Sequence, residues 1–165
     1  MGRVCVCAAV VASVALAALG GGAASRAEGG VVRCHAEVSR AVLPVWAQTG
    51  FHGGPPRTTH VVGRQGQIAA IVFGYPLRAS SSTPTTGHGN KILWVSRTLP
   101  ASPAALWIRA QQMTGTKAVG APVGRVLMGG PGPSYVNLPR PGCWRLQLSW
   151  SGRKDTLDLA YGSGS

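Results

Sequence analysis

The chain is 165 residues long and carries 16 Lys and Arg against four Asp and Glu, a formal net charge of +12. That length holds one domain rather than several, and four acids leave little material for chemistry built on paired carboxylates. The basic residues are scattered singly, apart from Arg153 and Lys154, so the clustered stripe of a nucleic-acid protein is missing.

Taken in chain order, Arg3 opens a short basic start, residues 4–19 form an apolar run, and "GGGAASRA" follows. This is the pattern of a secretory signal peptide over residues 1–27, with cleavage after Ala27. The run falls short of the about 20 residues of a membrane span, and no cysteine stands at lipidation spacing behind it. Removing 27 of 165 residues leaves 138, and removing Arg3 and Arg26 leaves 14 basic residues against four acidic, a net +10. No later stretch approaches spanning length. The expectation is a secreted, extracytoplasmic protein of the cell envelope whose surface favours anionic neighbours, with nucleic acid an unlikely partner.

Residues 28–58 read as an N-terminal arm. "EVSRAVLPVWAQ" comes nearest to a helix, but Pro44 interrupts it. Two cysteines survive processing, Cys34 and Cys143, and an oxidising compartment predicts a disulfide between them.

Residues 59–161 read as strands. "HVVG" at 60–63 is short. "QIAAIVFGYPL" at 67–77 is apolar on both faces, which suits a covered central strand ending at Gly74 and Pro76. "KILWVSR" at 91–97 follows a polar connector at 79–89. "ALWIRAQQM" at 105–113 sets Leu106, Ile108 and Ala110 against Trp107, Arg109 and Gln111. "AVGAPVGRVLMGG" holds one or two weak strands, "GPGP" is a loop, and "SYVNL" at 134–138 is a short strand. A closing hairpin pairs 143–150 with 154–161 and leaves 162–165 as a disordered tail. In the hairpin Trp144, Leu146, Leu148 and Trp150 share one face. Cys143 falls on the other with Arg145, Gln147 and Ser149, so its disulfide is expected to staple the arm to the outside of that strand.

Seven or eight short strands with turns between them predict an all-β, antiparallel β-sandwich of immunoglobulin-like type, with a small β-barrel as the alternative. The segments "LPVWAQTGF", "HVVG", "FGYPL", "NKILWV", "GGPGPS" and "PGCWRLQLSWSGRKDTLDLAY" resemble a family of uncharacterised exported proteins, some of them lipoproteins, of high-GC Gram-positive bacteria. The "GCWRL" hairpin is also similar to small immunoglobulin-like domains of unknown function in other Gram-positive secreted proteins. The resemblance implies export and a sandwich and carries no activity. This chain departs from the lipoprotein members in lacking a lipidation cysteine.

Few residues point to chemistry. Asp155 and Asp158, three apart on a strand, face opposite sides, so they are not a shared-substrate pair. Asp155 beside Arg153 and Lys154 suggests a turn or charge-pair role, and Asp158 a cross-strand partner for Arg145 or Gln147. His35, His52, His60 and His88 lack metal-ligand spacing, so neither metal nor cofactor is expected. "GGPGPS" lacks the strand–turn–helix context of a nucleophile or phosphate loop. Trp94, Trp144 and Trp150 belong to the core. Trp46 and Trp107 are the candidate exposed aromatics. With Arg57, Arg109, Arg153 and Lys154 they make the expected binding surface, for an anionic cell-wall polymer or an envelope protein. The expected function is a non-catalytic, envelope-associated binding module. The alternatives are an extracellular hydrolase, whose chemistry would require Glu37, His60, Ser134 and Asp158 to converge, and a purely structural module of a larger assembly.

Overall fold

The computed structural model describes Gly2, Cys34 and residues 38–81, 89–98 and 105–163. Apart from Gly2, these belong to one compact unit, Val31–Ser165. The signal segment apart from Gly2, and residues 82–88 of the polar connector at 79–89, lie outside the described residues.

A 3-10 turn, Val45–Ala47, follows Pro44 where the near-helical pattern breaks. Among the described residues nine strands follow: β1 His60–Val62, β2 Ile68–Val72, β3 Leu77–Arg78, β4 Lys91–Ser96, β5 Leu106–Thr114, β6 Lys117–Leu127, β7 Pro133–Tyr135, β8 Gly142–Trp150 and β9 Arg153–Gly162. One sheet has the order β1-β2-β4-β7 and the other β3-β9-β8-β5-β6. All neighbours are antiparallel except β3 on β9. The β5–β6 and β8–β9 hairpins lie in one sheet, and the chain changes sheets at β2–β3, β3–β4, β4–β5, β6–β7 and β7–β8. This is an all-β sandwich of two largely antiparallel sheets. No strand ladder among the described residues joins the two sheets, so the barrel does not close.

The segment that is apolar on both faces serves two cores. Ile68, Ala70 and Val72 join the layer between the sheets. Ala69 and Ile71 face outward and are covered by Leu43 and Ala47 of the arm, with Trp46 and Phe51 packed beside them. Past Gly74–Pro76 the chain crosses over, and Leu77 pairs with Tyr161 of the second sheet. The glycine and the donor-less proline end one ladder where the other begins.

Between the sheets lie three buried indoles, and each N–H is satisfied. Trp94 donates to Ser134 Oγ, Trp144 to the Arg140 carbonyl and Trp150 to Ser96 Oγ. An unpaired indole N–H there would cost about 1–3 kcal/mol. The weakly patterned segment after residue 117 is one 11-residue edge strand, β6. It pairs with β5 across a bulge opposite Ala110–Gln112, and Gly120 supplies a φ of +66° nearby. That irregularity hides its period from a two-residue reading.

Asp155 differs from expectation. It sits on the inward face of β9, opposite Leu148, and is 2% exposed. Its carboxylate accepts from the backbone N–H groups of Gln65, Gln67, Ile68 and Thr156. It therefore fastens the β1–β2 turn of one sheet to β9 of the other, while Arg153 and Lys154 stay exposed. A Cβ on Gly63 would collide with this carboxylate, so glycine is required there for steric reasons. Cys34 and Cys143 form a disulfide across 109 residues of chain, on the outward side of β8.

Asp155→Ala strands several amides without an acceptor. It is expected to cost about 3 kcal/mol, read as a lower urea midpoint at unchanged slope. Replacing Cys34 and Cys143 together by Ser is expected to lose about 2–4 kcal/mol in the same measurement.

Candidate ligand-binding groove

The outward residues of β5, β6, β8 and β9 line up in rows across the second sheet. The first row runs Val126, Trp107, Ser149, Lys154. The second runs Gly124, Arg109, Gln147, Thr156, and the third runs Gln111, Arg145, Asp158. Rows are about 7 Å apart along the strands and columns about 4.8 Å apart between them. The side chains on the opposite face are anchored in the core, so the platform is rigid.

The first two rows line a groove of about 750 Å³, within the range of small-ligand sites. A smaller hollow of about 290 Å³ adjoins it at the β8–β9 turn and shares Trp107, Ser149 and Lys154. Trp107 stands where the two meet and is 58% exposed. Its indole N–H, unlike those of the three core tryptophans, has no hydrogen bond to another described residue. Gly124 leaves the floor open beside Arg109, because a Cβ placed there would meet nothing within 4 Å.

The third row closes the face with charge. Asp158 lies 3% exposed and binds Arg145 at 3.0 Å and Arg64 at 2.9 Å. Burial alone would push its carboxyl up. The hydrogen bonds and charges of Arg145 and Arg64 outweigh that and hold it below the usual carboxylate range. Arg145 is held more firmly protonated by the same pair, the hydrogen bond to Asp158 opposing the cost of burial. One carboxylate thus meets two guanidinium groups, leaving the cluster net positive. Among the described residues neither Arg109 nor Lys154 forms an ion pair.

The residues predicted for a binding surface divide between the two sheets. Trp107, Arg109 and Lys154 line the groove, and Arg153 lines the adjoining hollow. Trp46 is half-buried against the outer cluster of the first sheet, and Arg57 is exposed opposite Val42 in the arm. Gln147, Ser149 and Thr156 complete the groove. Their outward positions follow from strand alternation, but their approach to Trp107 and Arg109 follows from the pairing of β5 with β8. Gly124 and Val126 carried no signal, because the bulge sets their register.

Of the residues that a hydrolase would need, Asp158 lies on β9 of the second sheet, while His60 and Ser134 lie on β1 and β7, the two edge strands of the first. Asp158 is committed to its two arginines. His60 Nδ1 bonds the Thr58 carbonyl, and Ser134 Oγ accepts from Trp94. Glu37 lies outside the described residues. No group of three His, Cys, Asp or Glu that would hold a metal is found among the described residues. No helix among them is long and apolar enough to cross a membrane.

No protein-family model and no curated protein matches the chain. Among solved structures it is similar to the X-ray crystal structure of a "Putative Lipoprotein" from Bacillus anthracis. The two share 16% identity over 76% of this chain and 88% of that one, at a TM-score of 0.41.

A carboxyl lowered in the fold contributes stability above its unfolded pKa of about 3.9 and loses it as pH falls through the folded value. The contribution of Asp158 is expected to be constant from pH 7 to 5 and to fall away below about pH 4. Urea melts of Asp158→Asn are expected to show lower stability at pH 7 and a shallower decline on acidification.

Proposed function

We propose that this protein is an extracytoplasmic, non-catalytic binding module that holds an anionic ligand of the cell envelope against the outer face of its five-stranded sheet. The observation that carries the reading is the groove itself. An exposed tryptophan and two cations without ion-pair partners among the described residues stand on a sheet whose other face is core. Aromatic and arginine side chains in concave, rigid surroundings are the usual carriers of binding energy.

Further features support it. The Cys34–Cys143 disulfide fits an oxidising compartment. The formal net charge of +12 draws anionic polymers. Both described acids, Asp155 and Asp158, are engaged in holding the fold, which leaves neither free to act as a general acid or base. The N-terminal signal pattern and the resemblance to exported proteins with a GCWRL hairpin agree with this placement.

The full-length chain, produced by export, is expected to sediment with washed Gram-positive cell walls at low ionic strength. It is expected to be released by moderate salt, as the Debye length shrinks from about 30 Å at 0.01 M to about 8 Å at 0.15 M. Absent or salt-indifferent binding would count against the reading.

A further inference from the structure

We infer that the groove recognises an acidic glycan, one carrying carboxylates on its sugar rings. A ring stacks on Trp107, Arg109 and Lys154 pair with its carboxylates, and Gln147, Ser149 and Thr156 take its hydroxyls. This deepens the function proposed above and rests on it for the place where the ligand is met.

The argument is one of matched chemistry. A sugar ring offers an apolar C–H face and a rim of hydroxyls. The groove offers one exposed indole and, two residues or one strand away, short neutral amide and hydroxyl groups. An amphipathic aromatic with a free N–H suits such a ligand better than a purely apolar anchor does. The cations set the charge pattern. Arg109 lies on β5 and Lys154 on β9, with β8 between them and one row of offset. Their backbone columns are therefore about 10 Å apart, and the two side chains rise from different rows. That spacing meets charges on separate rings of a chain. A single-stranded nucleic acid would also use an aromatic and cations, but it needs a continuous basic track along its phosphates. Here the cations are interrupted by Gln147, Ser149 and Thr156. Gly124 makes room for the ligand, since the space over its Cα is open.

The test titrates the full-length exported protein with oligogalacturonate, its methyl ester, polyphosphate and a single-stranded DNA oligomer, following tryptophan fluorescence and equilibrium binding. Oligogalacturonate is expected to bind and to weaken with salt. The ester is expected to bind at least about tenfold more weakly, and so are the Trp107→Ala and Arg109→Gln/Lys154→Gln variants. Gly124→Val is expected to block binding by filling the floor, with no charge removed and no neighbour displaced, so near-ultraviolet circular dichroism and the urea midpoint should hold. Arg40→Gln, which removes one exposed charge from the arm, should bind as the parent does.

The inference is overturned if polyphosphate or DNA binds as tightly as oligogalacturonate, or if Trp107→Ala and Gly124→Val bind unchanged. Failure of oligogalacturonate with salt-sensitive wall binding intact sinks the glycan assignment alone. Oligogalacturonate binding at Trp107 without wall binding sinks the envelope reading and leaves the groove assignment standing.

Discussion

The two-residue alternation of β8 is the constraint from which both halves of this molecule follow. Trp144, Leu146, Leu148 and Trp150 are at most 2% exposed and fill the space between the sheets. Burying each gains about 1.5–3 kcal/mol, and a slip of one residue would forfeit the whole set. The same alternation forces Arg145, Gln147 and Ser149 outward, where Gln147 and Ser149 line the groove and Arg145 meets Asp158 beside it. Cys143 goes with them and takes the disulfide to the outer face. The strand's packing and its surface chemistry are one decision read from two sides.

Polar anchors then keep the two sheets in register. Asp155 reaches from β9 to the amides of the β1–β2 turn. Asn90 does similar work at another point, exchanging hydrogen bonds with both backbone groups of Arg78 and reaching Asn137. Tyr161, with its hydroxyl on the Val136 carbonyl, is pushed well above its ordinary pKa by burial and acts as a neutral donor. Each is a buried polar group whose partners are in place, so each adds specificity of arrangement without a desolvation penalty left unmet.

The charge on the outer face is uneven for a physical reason. The described acids are spent, Asp155 inside the sandwich and Asp158 between Arg64 and Arg145. Nothing acidic among the described residues remains to neutralise Arg109 and Lys154, whose neighbours across the strands are Gln147, Gly124 and Ser149. A surface of this kind keeps a positive field over strands whose other face is anchored in the core.

The all-β class, the strands β1, β2, β4, β5, β8 and β9, the three core tryptophans, the outward Cys143 and an outward Asp158 facing Arg145 or Gln147 were legible in the residues, whereas β3 was hidden in the 67–77 run and the strand read at 134–138 is Pro133–Tyr135. They depend on local alternation and turn chemistry, which a single strand carries within itself. The role of Asp155 was not legible, because its partners are backbone amides about 90 residues away and amides have no sequence signature. The separation of Trp46 from Trp107 was not legible either. Both look like spare aromatics along the chain, but the arm folds Trp46 onto Ala69 and Ile71 while the β5–β8 pairing leaves Trp107 open. The sequence alone determined which face of the regularly alternating strands β5 and β8 is apolar. Only the tertiary structure decided which polar faces lie side by side, because strand order and the β6 bulge depend on pairings between distant segments.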